Sequence, residues 1–150
     1  MTSRSWIEPS PQVDDPGRVP LRTLSAIAVV LIVLQVGLGA AVRHREMSAV
    51  PHIVGALIVT IVLLLLAILV THQFPEHPAL NPAARTLIGL TFTQVMLGMA
   101  AFITRLMAEE SSLAVTIPSV THVAVGSLTL AATVVLTLLI HRNVCSATNA

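Results

Sequence analysis

Four apolar stretches free of formal charge, residues 24–42, 53–71, 86–104 and 120–140, alternate with polar connectors along the chain. Each has about the 20 residues a helix needs to cross a hydrocarbon core of roughly 30 Å. In such a core every peptide group needs an internal partner, so the runs read as helices. None shows the strand-like alternation of a barrel. The pattern predicts an all-α integral membrane domain over residues 24–141, a four-transmembrane-helix bundle. Residues 1–23, with Trp6, Glu8, Pro9, Pro11, Asp14, Asp15 and Pro16, read as a mobile polar tail, and residues 142–150 as a short C-terminal one. The N-terminal tail lacks the basic start and short apolar region of a cleaved signal peptide, so the first span is expected to be retained.

The two halves of this pattern resemble each other. Span 1 carries Gln35, then Gly39, Ala40 and Ala41, and runs into Arg43; span 3 carries Gln94, then Gly98, Ala100 and Ala101, and runs into Arg105. Span 2 opens on His52 followed by Gly55, and span 4 on His122 followed by Gly126. A helix pair repeated in one orientation implies a pseudo-twofold axis along the membrane normal. Such an internal two-helix repeat would relate His52 to His122.

Composition changes the picture little. Hydrophobic residues make up 55% of the chain and charged residues 10%, which excludes an ordinary soluble domain. A net charge of +1 gives no argument for nucleic acid, and the single cysteine, Cys145, excludes an intrachain disulfide. All cationic side chains other than histidine are arginine. Arg4, Arg18, Arg22, Arg85 and Arg142 fall on one side of the predicted bundle, and Arg43, Arg45 and Arg105 on the other. The larger number marks the cytoplasmic face, so both termini are expected in the cytoplasm and the chain in the cell membrane as a multi-pass protein.

The candidate chemistry lies in the histidines. Alternate spans run in the same direction, so His52 and His122 should share one depth near the outer surface. An ionisable side chain at membrane depth is a functional hypothesis by default. A matched pair of neutral imidazoles suits the two axial positions of a haem iron and leaves no open coordination site, which favours electron transfer over oxygen binding. Gly55 and Gly126, one turn away, either leave room for a flat macrocycle or let helices pack closely. Arg43, Arg45 and Arg105 lie on the same side, where haem propionates need cations. Ordinary membrane-flanking charge accounts for each of them equally well.

His72 and His141 form a second matched pair at the opposite ends of spans 2 and 4. Twenty residues, or roughly 30 Å of helix, separate His52 from His72. That places the second pair at the interface as anchors rather than as ligands of a second haem. His44 and His77 fall in loops. Gln35 and Gln94, mid-span, are read as hydrogen-bonding across the bundle rather than contacting a substrate or quinone.

Taken together, glutamine four residues before glycine in the odd spans and an outer-end histidine in the even ones resemble one half of the haem A synthase family. The resemblance covers residues 24–141 and rests on the order and spacing of short motifs. Family members usually fuse two four-helix repeats, each with a histidine pair on its second and fourth helices. The match therefore implies that His52 and His122 ligate one haem b. Where the family's catalytic half has a glutamate one turn before the second-helix histidine and an arginine after it, this chain has Ala49 and Ile53. Ser119 stands before His122, and the paired loop cysteines of many bacterial members are absent. The chain thus resembles the half that holds haem b more than the half that oxidises haem O.

The resemblance implies a membrane bis-histidine haem b protein in haem A biosynthesis, terminal-oxidase assembly or associated electron transfer. By homodimerising, a half-length chain could recover a full synthase with haem O as substrate; an oxidase-assembly partner is the other expectation. Two other readings of the residues stay open. One is a haem-free membrane assembly module that uses the histidines for packing, and the other is a quinone-linked cytochrome b of another family.

Overall fold

The computed structural model describes residues 13–15, 19–109 and 112–145. Within them the chain forms four long helices: α1 (Leu21–Arg43), α2 (Ala49–Gln73), α3 (Leu80–Met107) and α4 (Leu113–Asn143). All four are long and apolar enough to cross a membrane. Each packs on its neighbours in sequence, and α1 closes the ring against α4. α2 and α4 therefore face each other across the diagonal.

The helices outrun the charge-free stretches at both ends, because polar and charged residues fit readily into terminal turns at an interface. α1 starts at Leu21 rather than Leu24. Pro51 and Pro82 are each the third residue of their helix, where the missing N–H costs no hydrogen bond. Pro118 lies deeper, in α4, which begins well before the apolar run.

The residues that hold the bundle together follow one spacing. Leu21, Ser25, Ala28 and Ile32 are buried on α1, and Leu80, Ala84, Leu87 and Thr91 on α3. Position by position the second set repeats the first at a constant offset. On α2 the buried seam is Val59, Leu63, Leu66 and Val70; on α4 it is Thr129, Thr133, Leu136 and Ile140. These two sets are again related by one constant offset. Steps of four, three and four residues are the seam of a left-handed helical bundle, in which side chains of one helix fill holes in the next. The internal repeat thus extends from motif to packing.

The described part of the N-terminal segment is tied to the bundle rather than loose. Val13–Asp14 (β1) pairs in parallel with Val144–Cys145 (β2). Asp15 Oδ2 accepts the backbone N–H of Leu21 at 2.9 Å, capping α1. Arg22 donates to the carbonyls of Val144 and His141, both at 2.9 Å, and so satisfies the end of α4. Residues 1–12, 16–18 and 146–150, which complete the predicted tails, lie outside the described residues.

His77 has a structural role that its loop position did not suggest. It is buried, and its Nδ1 accepts the N–H groups of Ala79 and Leu80 at 3.2 Å, capping α3. His72 and His141 are exposed, and His141 Nδ1 bonds the Thr137 carbonyl at 3.0 Å.

Candidate functional site

The same seam continues past Ile32 and Thr91 with a change of chemistry. Along α1 the next positions are Gln35 and Gly39; along α3 they are Gln94 and Gly98. Stepping back from Thr129 on α4, the seam reaches Gly126 and His122. From Val59 on α2 it reaches Ala56 and His52, with Gly55 beside it. About three turns of mostly aliphatic packing on each helix therefore give way to a set of glutamine, glycine and histidine.

These residues meet on the bundle axis. The ring centroids of His52 and His122 lie 6.5 Å apart, with the ring planes at 88°. Both side chains are half-buried. Each ring rests over a glycine of the preceding helix. A Cβ built on Gly39 would stand 3.0 Å from His52 Cε1, and one on Gly98 would stand 3.0 Å from His122 Cε1. That is tighter than ordinary van der Waals contact, so only glycine seats the rings without displacement.

The glutamines complete the constellation. Gln35 Nε2 lies 2.9 Å from His52 Nδ1 and donates to the His52 backbone carbonyl at 2.8 Å. Gln94 Nε2 lies 3.3 Å from His122 Nε2. The amide oxygens Gln35 Oε1 and Gln94 Oε1 are buried without a partner, as is His122 Nδ1.

Gly55 and Gly126 have neighbours of their own. A Cβ on Gly55 would collide with Gln35 Oε1, and one on Gly126 would stand 3.0 Å from Gln94 Nε2. The room left by these glycines is filled by a glutamine amide from the adjacent helix. Gly55 follows His52 by three residues and Gly126 follows His122 by four, so the two seats differ by about 100° around the helix. The two glutamines also reach different ring nitrogens, Nδ1 of His52 and Nε2 of His122.

The three outer arginines also converge. Arg43, Arg45 and Arg105, with Val42 and Val115, line a cleft of about 230 Å³ at the histidine end. The turn that closes α1 brings Arg43 and Arg45 there. His44 N–H bonds the Ala40 carbonyl and Glu46 N–H the Ala41 carbonyl, and Arg45 takes a left-handed backbone with φ of 60°.

All seven residues singled out from sequence therefore lie at one end of the bundle. Gln35, Gln94, Gly39 and Gly98 belong with them, and the signal that finds them is the continuous four-three spacing. Chemically, the two imidazoles stand close enough to share one ligand, each with one ring nitrogen in contact with a glutamine amide. Among the described residues no larger cluster of metal-ligating side chains occurs. No protein-family model matches the chain, and neither a curated protein nor a solved structure matches it.

Proposed function

We propose that the chain is a multi-pass cell-membrane protein that binds one haem b between His52 and His122 and serves electron transfer or terminal-oxidase assembly. The observation that carries this reading is the 6.5 Å spacing of the two imidazole centroids across the bundle axis. Two metal–imidazole bonds of roughly 2 Å, with a ring half-width of roughly 1 Å on each side, separate axial ligand centroids by about 6 Å. Bound there, haem b would supply one-electron chemistry.

The chain's own residues would hold the group in place. His52 and His122 would ligate, Gly39 and Gly98 would give the rings their seats, and the cleft of Arg43, Arg45 and Arg105 would receive the propionates. The arginine distribution supports an orientation with this end outside and both termini in the cytoplasm. The chain has no glutamate one turn before His52, so the reading stops at haem binding and electron transfer. Oxidation of haem O would need that carboxylate from a partner.

The deciding experiment is a reduced-minus-oxidised visible spectrum of the detergent-purified protein beside His52→Ala and His122→Ala. Sharp low-spin bands in the parent, lost or turned high-spin in each variant, are expected. A parent that stays colourless after haem is supplied overturns the reading. One observation favours a second reading in that event: both imidazoles already have glutamine partners. The constellation would then be a polar clasp between helices of a haem-free assembly module.

A further inference from the structure

The two glutamines bear on how the histidines could take a metal. A neutral imidazole has one N–H and one lone pair, and only the lone pair can bind iron. An amide NH₂ can donate but not accept. The contact from Gln35 Nε2 to His52 Nδ1 therefore puts the lone pair on Nδ1 and the proton on Nε2. The contact from Gln94 Nε2 puts the lone pair of His122 on Nε2 and its proton on the buried, unpartnered Nδ1. In both cases a glutamine N–H covers the electrons that a metal needs. In both cases the glutamine's carbonyl oxygen is buried with no donor.

Resting on the haem reading above, we propose that Gln35 and Gln94 are positioning residues that exchange roles when the histidines ligate. Their amide N–H groups hold the rings in the free chain, and their carbonyl oxygens receive the imidazole N–H in the loaded one. A ligating imidazole makes its remaining N–H the donor, and an acceptor on that N–H fixes the ring and raises its basicity. The orphaned Oε1 atoms are the acceptors at hand. For His52 the ring proton moves from Nε2 to Nδ1, so no proton is gained or lost. The two glutamines act unequally. Gln35 is anchored twice on His52, at 2.9 and 2.8 Å, whereas Gln94 makes one longer contact of 3.3 Å. Gln35 is therefore the stronger positioner and His52 the more firmly held ligand.

The test has one arm without haem and one with it. In the haem-free protein, ¹⁵N shifts of the histidine rings should show His52 protonated at Nε2 and His122 at Nδ1. Finding His52 protonated at Nδ1 overturns the donor assignment. In the haem-loaded protein, Gln35→Leu should raise the midpoint potential, because the axial ligand loses its acceptor. Gln35→Glu, a stronger acceptor of nearly the same shape, should lower it. Gly55→Ala, which displaces the Gln35 amide without altering it, should move the potential in the same direction as Gln35→Leu. Haem affinity in Gln35→Leu should fall roughly tenfold or more, and less in Gln94→Leu. Potentials that do not move, or that move together in Gln35→Leu and Gln35→Glu, overturn the inference while leaving haem binding intact. A parent that never takes up haem instead refutes the haem reading, and the ring shifts then decide the free-chain assignment alone.

Discussion

The two ends of the bundle are built on one seam and use it for different purposes. At the end near the chain termini, the seam carries Leu21, Leu66, Leu80, Leu87, Leu136 and Ile140, all fully buried. At the other end it carries Gln35, His52, Gln94 and His122, and among the described residues beyond Ile32, Val59, Thr91 and Thr129 only Val115 is buried. In a bilayer, whose tails are as apolar as leucine, the closed end would be held by close van der Waals fit rather than by expulsion of water. The histidine end gives up that fit. It relies on two amide–imidazole contacts and four glycines that let polar side chains approach the axis. The lesson is that helix geometry alone does not assign function. The point where a mostly aliphatic seam turns to glutamine, glycine and histidine marks the candidate site.

The largest expected effect breaks the closed end. Leu66 and Leu136 occupy equivalent positions of the repeat and are both fully buried. Truncating either to alanine should cost about 2–5 kcal/mol, since the surroundings relax only partly around the cavity. Thermal unfolding in detergent measures it, and the two losses should be similar if the repeat is also energetic. His52→Ala, by contrast, should lower the unfolding temperature far less while abolishing haem uptake. If His52→Ala destabilises as much as Leu66→Ala, the division of labour between the ends fails.

Next in size is Arg22, which joins the closed end to itself. Its guanidinium donates to two carbonyls at the end of α4. Charge-assisted hydrogen bonds contribute roughly 1.5–3 kcal/mol where sheltered, and the exposure of one of these two bonds reduces that. Arg22→Ala should therefore cost about 1–2 kcal/mol. Amide exchange should quicken at Val144 and Cys145 and remain unchanged near His52. Faster exchange at both ends would mean that the bundle opens as a unit.

Much of this division is legible in the chain. The four charge-free runs predict the helices, and their alternation places His52 and His122 at one end, where their rings do meet. The helix ends are not legible, because a charge-free criterion stops short of residues such as Arg22, in the first turn of α1. The roles of Gly55 and Gly126 were open between macrocycle and packing, and what adjoins each is a glutamine amide. Only the packed neighbours reveal this, because glycine itself carries no signal of what fills its space. The sequence predicts that the glutamines hydrogen-bond across the bundle but does not name their partners. Nor does the sequence show that Gln35 meets Nδ1 of His52 while Gln94 meets Nε2 of His122. His77 was passed over because a capping histidine differs from a solvent-facing one only in the turn around it.

A comparison within α1 sharpens the role of the glycines. Gly37 and Gly39 lie two residues apart, but a Cβ on Gly37 would meet nothing within 4 Å, whereas one on Gly39 would press on the His52 ring. Gly37→Ala should be neutral or stabilise by up to about 1 kcal/mol through helix propensity. Gly39→Ala should gain no such benefit, should displace the ring, and should weaken haem uptake, as should Gly98→Ala. Equal behaviour of the Gly37 and Gly39 variants, by unfolding and by haem titration, would remove the glycines from the site.

The smallest effect is the one that separates stability from function most cleanly. Arg45 is the only non-glycine residue with positive φ among those described, and a side chain in that region costs roughly 1–2 kcal/mol relative to glycine. Retaining arginine there is unfavourable for the turn alone, which needs only a residue that closes α1. Arg45→Gly should therefore leave the bundle as stable or raise stability by about 1 kcal/mol, offset in part by lost contacts and by glycine's greater freedom when unfolded. Haem carrying both propionates should bind this variant more weakly, while the dimethyl ester should bind parent and variant alike. Strained residues cluster where a site over-determines the backbone, and a stability gain paired with a binding loss is the signature of that arrangement. If Arg45→Gly lowers stability and leaves haem affinity unchanged, the arginine serves the turn, and the cleft is not an anion seat.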